Sequence, residues 1–155
     1  MSMTSSDAAQ KRRQRWLSVL SKATADRVEA LWQTLGPTPA YSVLRQPEIG
    51  LVMLQGRISG SGAPFAAGEM TVTRAAVRLP GGELGIGYVG GRRPHQAERV
   101  AALDALGQTS AWQQKIEDTV IAPLTDEAEA RRRLRASKAA ATKVDFFTVA
   151  REAGT

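Results

Sequence analysis

The sequence predicts an α+β protein in which an antiparallel sheet of about four strands is flanked by N-terminal and C-terminal helices. Apolar residues recur at helical spacing outside the middle of the chain, and runs rich in Val, Ile, Leu and Thr lie between residues 41 and 89. Segments containing Gly and Pro separate those runs. The 155 residues suit a single domain, with a helical segment at 1–35, the sheet at 41–93, and helices and a tail at 95–155.

Two short amphipathic helices are predicted within residues 7–35. A break at 21–24 separates them, and Thr24 is the expected N-cap of the second helix. Gly36 and Pro37 end the helical pattern. The apolar residues that define the period are Trp16, Leu17, Leu20, Val28, Leu31, Trp32 and Leu35.

The middle of the chain predicts strands at 41–45, 50–57, 69–79 and 83–89. The turns between them are expected at Gln46-Pro47, Gly60-Ser61-Gly62 and Pro80-Gly81-Gly82, and the shortness of the last turn favours a hairpin. In the third strand neither alternate set of side chains is purely polar. Both faces of the sheet are therefore expected to be covered.

A helix of small residues is predicted at 97–108. Ala97, Ala101 and Ala105 lie on one stripe, which allows close packing against the sheet. Asp104 lies on the same stripe, where a carboxylate needs a partner. An arginine from the sheet is the expected partner.

A third helical region is predicted after Thr125, its expected N-cap. The basic run at 131–138 lacks interleaved aromatic residues, which favours a solvated face or an acidic protein surface over nucleic acid. The tail at 143–149 fits either a strand or a helical extension, and Phe146 and Phe147 are expected to dock it.

Charge and composition limit the classes of function. The net charge of +6 favours anionic partners, and the absence of cysteine excludes disulfides and thiolate metal sites. The N-terminal segment offers neither a signal-peptide core nor a membrane span, so a cytoplasmic protein is expected. Residues 36–93 contain six arginines, three acidic residues and no lysine, which favours specific two-point contacts with anions or proteins.

A Gly- and Ser-rich segment at 56–69 connects two predicted strands. Gly60 and Gly62 would let backbone N–H groups approach a phosphate, with Arg57 adding charge. The segment lacks a P-loop lysine and a following helix. A long turn or an interface loop is therefore the alternative.

Two further places carry candidate side chains. Glu69, Thr71, Thr73 and Arg74 follow one another along a strand and either line a site or serve the sheet, since threonine is a good strand former. The single histidine, His95, is followed by Glu98 within one helical turn and could act as a general acid or base. An exposed histidine at a helix start is the alternative, and a metal site is not expected. The candidate catalytic residues are thus Glu69, His95 and Glu98.

Several strings in this order resemble the PhnG family, subunits of the bacterial carbon–phosphorus lyase system for phosphonate breakdown. The resemblance covers about residues 15–151. The strings are YSVLRQPEIGLVMLQGR, SGSGAPFAAGEMTVTRAAVRL and AERVAALDAL, with RWLSVL before them and VDFFTV after them.

The resemblance implies a non-radical subunit of a multi-subunit transferase that acts in phosphonate catabolism. Such a complex moves the ribose 5-triphosphate moiety of ATP onto methylphosphonate and releases adenine. The implied partners are PhnH-, PhnI- and PhnJ-like subunits, with PhnK- and PhnL-like ATP-binding proteins as further candidates and a homodimer for the isolated chain. MgATP is a substrate of the complex, and this chain is expected to bind no cofactor and to be inactive alone. The alternative is a scaffold subunit without substrate contact.

The resemblance also implies roles for individual residues, according to their positions in the matching strings. Binding or interface roles are implied for Arg57, Gly60, Gly62, Thr71, Thr73, Arg74, Arg92 and Asp104. The family commonly has a histidine directly before its Ala-Glu pair, where this chain has Gln96 preceded by His95. This departure weakens a catalytic role for a histidine.

Overall fold

The computed structural model describes residues 2–143 and confirms the α+β class. Its helices are α1 (Ser2–Lys22), α2 (Ala25–Thr34), α3 (Pro94–Leu106), α4 (Ser110–Ile116) and α5 (Ala122–Ala141). Its strands are β1 (Ser42–Arg57), β2 (Pro64–Arg78) and β3 (Leu84–Gly90). A short 3₁₀ turn, Ile58–Gly60, follows β1, and a π-helical turn, Glu117–Ile121, joins α4 to α5. No helix in this part of the chain is long and apolar enough to cross a membrane.

The sheet has three antiparallel strands in the order β1-β2-β3. The first two predicted strands are one continuous strand, so the turn expected at Gln46 and Pro47 is wrong. Pro47 lies instead within a register shift between Arg45 and Glu48. Proline has no N–H for the ladder and is tolerated at such irregularities, so the strand continues past it. The predicted hairpin between the last two strands is confirmed, with the Leu79 N–H donating to the Glu83 carbonyl at 3.0 Å.

Helix α3 packs directly against β3, as the stripe of alanines predicts. Gly85 and Gly87 face the helix, and a Cβ atom at Gly85 would collide with the Ala101 carbonyl oxygen. A Cβ atom at Gly87 would collide with the Ala97 carbonyl oxygen. The two backbones therefore approach as closely as glycine on one side and alanine on the other permit.

The other face of the sheet is exposed, so the prediction that both faces are covered is wrong for the described residues. The glycines of β3 alternate with Leu84, Ile86 and Tyr88, and all three of these larger side chains point away from α3. We call this side the open face. Its cross-strand rows are Glu48–Arg74–Tyr88, Arg45–Ala76–Ile86 and Ser42–Arg78–Leu84.

The core lies between the covered face of the sheet and the helices. The two predicted N-terminal helices are present, and both contribute buried residues. Thr125 does not cap a helix, because its hydroxyl donates to the Ile121 carbonyl at 2.7 Å within a continuous helical path. Burial of Val120 and Ile121 holds the π turn in place. The tail predicted at 143–149 lies outside the described residues apart from Lys143.

Asp104 is a buried carboxylate that connects three elements. Its two oxygens accept hydrogen bonds from Arg13 Nε at 2.7 Å and Arg13 Nη2 at 2.8 Å. One of them also accepts from the Ile86 backbone N–H at 2.9 Å. The expectation of an arginine from the sheet is therefore wrong, because α1 provides the arginine and the sheet provides a backbone donor.

We predict that Gly87→Ala lowers the free energy of unfolding by about 3 kcal/mol, because the new methyl group meets the backbone of α3, which has no room to move. The matched control is Gly90→Ala on the same strand, where a Cβ atom meets nothing within 4 Å. The control should change stability by less than about 1 kcal/mol. Urea unfolding followed by circular dichroism measures both variants, and equal effects would contradict the close approach.

We also predict that Arg13→Ala costs about 2 kcal/mol, because it leaves the buried Asp104 carboxylate with a single N–H donor. Lys11→Ala on the same helix removes an exposed pair with Asp7 and should cost less than about 0.5 kcal/mol. The same unfolding measurement compares them. A loss at Arg13 no larger than the loss at Lys11 would show that the pair contributes little.

Candidate functional site

The predicted site residues occupy three separate places. The first is a projecting hairpin, which we call the arm and define as residues 51–71. It extends beyond β3, because β3 pairs with β2 only between Val72 and Arg78. The second is the loop from Gly90 to Arg93 with the start of α3. The third is the buried Asp104 described above.

Arg57 lies at the tip of the arm, opposite Pro64. Its Nη1 atom donates to the Gly62 carbonyl at 3.4 Å, and Gly60 completes the turn with a φ angle of 74°. Arg74 lies ten positions after Pro64 along β2, a span of roughly 30 Å at strand rise. Arg57 and Arg74 therefore cannot contact the same phosphate group.

Arg74 lies on the open face and is already partnered. Its Nη2 atom donates to Glu48 at 3.2 Å, and Arg45 donates to the other oxygen of that carboxylate at 3.4 Å. The Arg74 hydrogen bond and charge lower the pKa of Glu48 below its ordinary value. Glu69, the candidate acid or base of this strand, lies on the arm opposite Met53, on a different element from His95 and Glu98.

Thr73 is buried and holds the loop that precedes α3. Its hydroxyl donates to the Gly91 carbonyl at 2.6 Å and accepts from the Arg93 N–H at 2.9 Å. The Gly91 N–H in turn donates to the Thr71 carbonyl at 2.7 Å. These bonds occupy the Thr73 hydroxyl and leave Arg92 exposed beside the first turn of the helix.

Glu98 belongs to a polar network between α2, α3 and the residue before β1. It accepts a hydrogen bond from the Tyr41 hydroxyl at 2.8 Å, while Arg99 donates to Glu29 at 2.8 Å and lies 4.8 Å from the Trp32 ring centroid. Burial, followed by the bond to Glu98, raises the pKa of Tyr41. Arg99 is the main cause of the lowered pKa of Glu29.

His95 lies next to this network, exposed at the start of α3. Its charge makes a small contribution to the lowered pKa of Glu29. The network's carboxylates are already bonded to tyrosine and arginine, so the arrangement serves to join the helices. Among the residues that the structure describes, no cluster of His, Asp and Glu could hold a metal ion.

Gln96, at the position where the resemblance implies a histidine, is buried and points into the interior. Its Nε2 atom donates to the carbonyls of Ala23 at 2.9 Å and Leu20 at 3.3 Å. These carbonyls lie at the C-terminal end of α1, where helical acceptors lack partners within the helix. The residue at position 96 therefore ties α1 to α3, and glutamine performs this task without any acid or base chemistry.

Sequence reasoning did not identify the exposed apolar residues Ile86 and Tyr88 or the contribution of Arg13. The alternation of glycine with large residues in LGIGYVG was the available signal for Ile86 and Tyr88, because glycines facing a helix direct the large side chains outwards. No signal was available for Arg13, which meets Asp104 across 91 positions of sequence.

The family model "Phosphonate metabolism protein PhnG" matches residues 11–152. The chain is 41% identical over 151 residues to the alpha-D-ribose 1-methylphosphonate 5-triphosphate synthase subunit PhnG of Rhizobium meliloti (strain 1021). That alignment covers 96% of this chain and 94% of the relative. The chain therefore belongs to the PhnG family of phosphonate metabolism proteins.

Proposed function

We propose that this chain is a subunit of a cytoplasmic complex that transfers the ribose 5-triphosphate moiety of ATP to methylphosphonate and releases adenine. The product of this transfer would be ribose 1-methylphosphonate 5-triphosphate. The Rhizobium relative is named as a subunit of the synthase of that compound, which supports the proposed reaction. PhnH-, PhnI- and PhnJ-like subunits are the proposed partners, with MgATP as a substrate of the whole complex. The isolated chain is proposed to be inactive.

The observation that carries this proposal is the separation of the candidate residues. Glu69 lies on the arm, Glu98 is bonded to Tyr41, and the Thr73 hydroxyl is occupied. General acid–base catalysis needs groups within hydrogen-bond reach of one reacting atom. This chain does not assemble such a group of side chains from its described residues, whereas it leaves arginines and large apolar residues exposed. That combination supports a subunit that completes a site together with other chains.

Within that complex, we assign phosphate contact to Arg92. Its side chain is exposed and makes no ion pair or hydrogen bond with the described residues. Thr73 ties the loop that carries Arg92 to β2, so the backbone on either side of Arg92 is fixed. The positive end of the α3 dipole lies beside it and favours an anion there.

A scaffold without substrate contact is the second candidate, and specific observations support it. Arg74 is engaged by Glu48, and Arg57 lies at the arm tip, far from the other candidates. If Arg92 also meets a partner's carboxylate, then none of Arg57, Arg74 and Arg92 contacts the substrate.

We predict that Arg92→Ala, in the assembled complex, lowers kcat/KM for adenine release about 10- to 100-fold. This is the loss expected for one charge-assisted contact of about 1.5–3 kcal/mol. Arg135→Ala is the matched control, an exposed arginine on α5, and should leave the rate unchanged. Adenine release from MgATP and methylphosphonate is followed by chromatography, and assembly is checked by size-exclusion chromatography.

The two candidates give different results in this experiment. Intact assembly with slow adenine release supports substrate contact by Arg92. Loss of the complex with Arg92→Ala supports the scaffold instead. If the unaltered complex releases no adenine, the proposed reaction is wrong, whatever the variants do.

A further inference from the structure

The arm is the most exposed apolar part of the described chain. No described side chain between residues 51 and 70 is buried. Leu51 and Met53 on one side are 64% and 59% exposed, and Leu54 and Met70 are also exposed. Ile58 and Phe65 add two large apolar groups at the tip. Apolar side chains on both sides of a two-stranded ribbon are typical of a surface that another chain covers.

The edges of the arm are as open as its faces. Within the described residues, the only hydrogen-bond partner along the outer edge of its second strand is the Gly91 N–H, which donates to Thr71. The outer edge of β1 from Gly50 onwards makes no hydrogen bond to the rest of the described chain except through the tip turn. An isolated two-stranded hairpin is marginally stable in water. Pairing with an additional strand, or burial in a cleft, would therefore stabilise both strands of the arm.

The remaining sheet edges are partly protected, which distinguishes them from the arm. Pro47 and the register shifts around it interrupt the first half of β1, and such features prevent unwanted strand pairing. Side chains occupy part of the outer edge of β3, since Asp104 accepts from the Ile86 N–H and Gln108 donates to the Leu84 carbonyl at 2.8 Å. The distal half of β1 contains no proline, and the register shift between Leu54 and Gln55 places its extra residue in β2 rather than in β1. Its exposed edge is therefore suited to pairing with a partner.

Charge indicates what kind of chain covers the arm. The arm contains only Arg57 and Glu69 as charged residues, whereas the open face at its base carries Arg45, Arg74 and Arg78 against the single acid Glu48. Two copies meeting through these surfaces would oppose arginine to arginine in a chain of net charge +6. A different chain that has carboxylates beside an apolar cleft would complement both the apolar arm and the arginines of the open face.

We propose that the arm inserts into a partner subunit of different sequence, with Leu51, Met53 and Phe65 filling an apolar cleft. The distal edge of β1 pairs with a strand of that subunit, and carboxylates at the border of the cleft meet the arginines of the open face. The inference rests on the proposed function only for the identity of the partner, which is one of the PhnH-, PhnI- and PhnJ-like subunits.

The first test is the double variant Leu51→Gln and Met53→Gln in the full chain, co-expressed with the three partner subunits. Capture of those subunits by the tagged chain should weaken about 100-fold, the order expected for removing two buried aliphatic side chains from an interface. The matched control is Leu134→Gln on α5, where an equally exposed leucine (57%) lies away from the arm. The control should capture its partners normally.

A shortened arm provides a second variant whose folding is secure. Residues 53–69 are replaced by Asn-Gly, a two-residue hairpin turn, so that the turn is flanked by the paired residues Val52 and Met70. No described buried side chain is removed, so the isolated chain should keep its melting temperature while losing partner capture. In the unaltered complex, hydrogen exchange of amides 50–57 should slow relative to the isolated chain.

Other occupants give distinct results that overturn the proposal. A dimer of the isolated chain that the double variant dissociates, with partner capture unchanged, would assign the arm to a second copy. Slow exchange of amides 50–57 in the isolated chain that is lost on truncation after Lys143 would assign it to the chain's own C-terminal segment. Normal capture by both arm variants would also exclude insertion.

The same experiment separates this inference from the proposed function. If partner capture depends on the arm but the unaltered complex releases no adenine, only the proposed reaction is contradicted. If the complex releases adenine and still assembles with both arm variants, only the proposed insertion of the arm is contradicted. If the unaltered chain captures none of the three subunits, both proposals fail.

Discussion

The architecture depends on the close contact between the glycines of β3 and the alanines of α3. Since Gly85 and Gly87 place no side chain between the two backbones, the helix lies directly on the strand. Leu84, Ile86 and Tyr88 point to the opposite side. This contact determines which face of the sheet joins the core. The loop before α3 is held separately, because Thr73 binds its backbone and ties it to β2.

Periodicity and small-residue patterns were sufficient to predict the class of fold, the two N-terminal helices, the final hairpin and the helix–sheet contact. These features are local, since spacing within about ten residues decides them. Pro47 misled the strand assignment because proline marks both turns and bulges, and only the partner strand distinguishes the two. The exposure of Ile86 and the pairing of Asp104 with Arg13 depend on contacts between distant segments, which one sequence does not specify.

The candidate residues were adjacent in the sequence, but the sheet separates them in space. Strand β2 carries Glu69 outwards along the arm, Thr73 into the core and Arg74 onto the open face. A family motif that runs along an extended strand therefore combines residues with different tasks, including folding, loop anchoring and assembly. Gln96 illustrates the same point from the helix, because its place beside an exposed histidine gives no indication that it binds the carbonyl groups at the end of α1.

Side chains cover part of the outer edge of β3, which limits how this chain can associate. Head-to-tail strand pairing between identical copies requires two free edges, so that each molecule offers one edge and receives another. At the outer edge of β3, Arg13 and Gln108 bind the Leu84 carbonyl, and Asp104 binds the Ile86 N–H. A strand of a second copy would have to displace these side chains before it could pair with β3. The exposed apolar arm is therefore combined with a second edge that hinders fibre growth through the sheet.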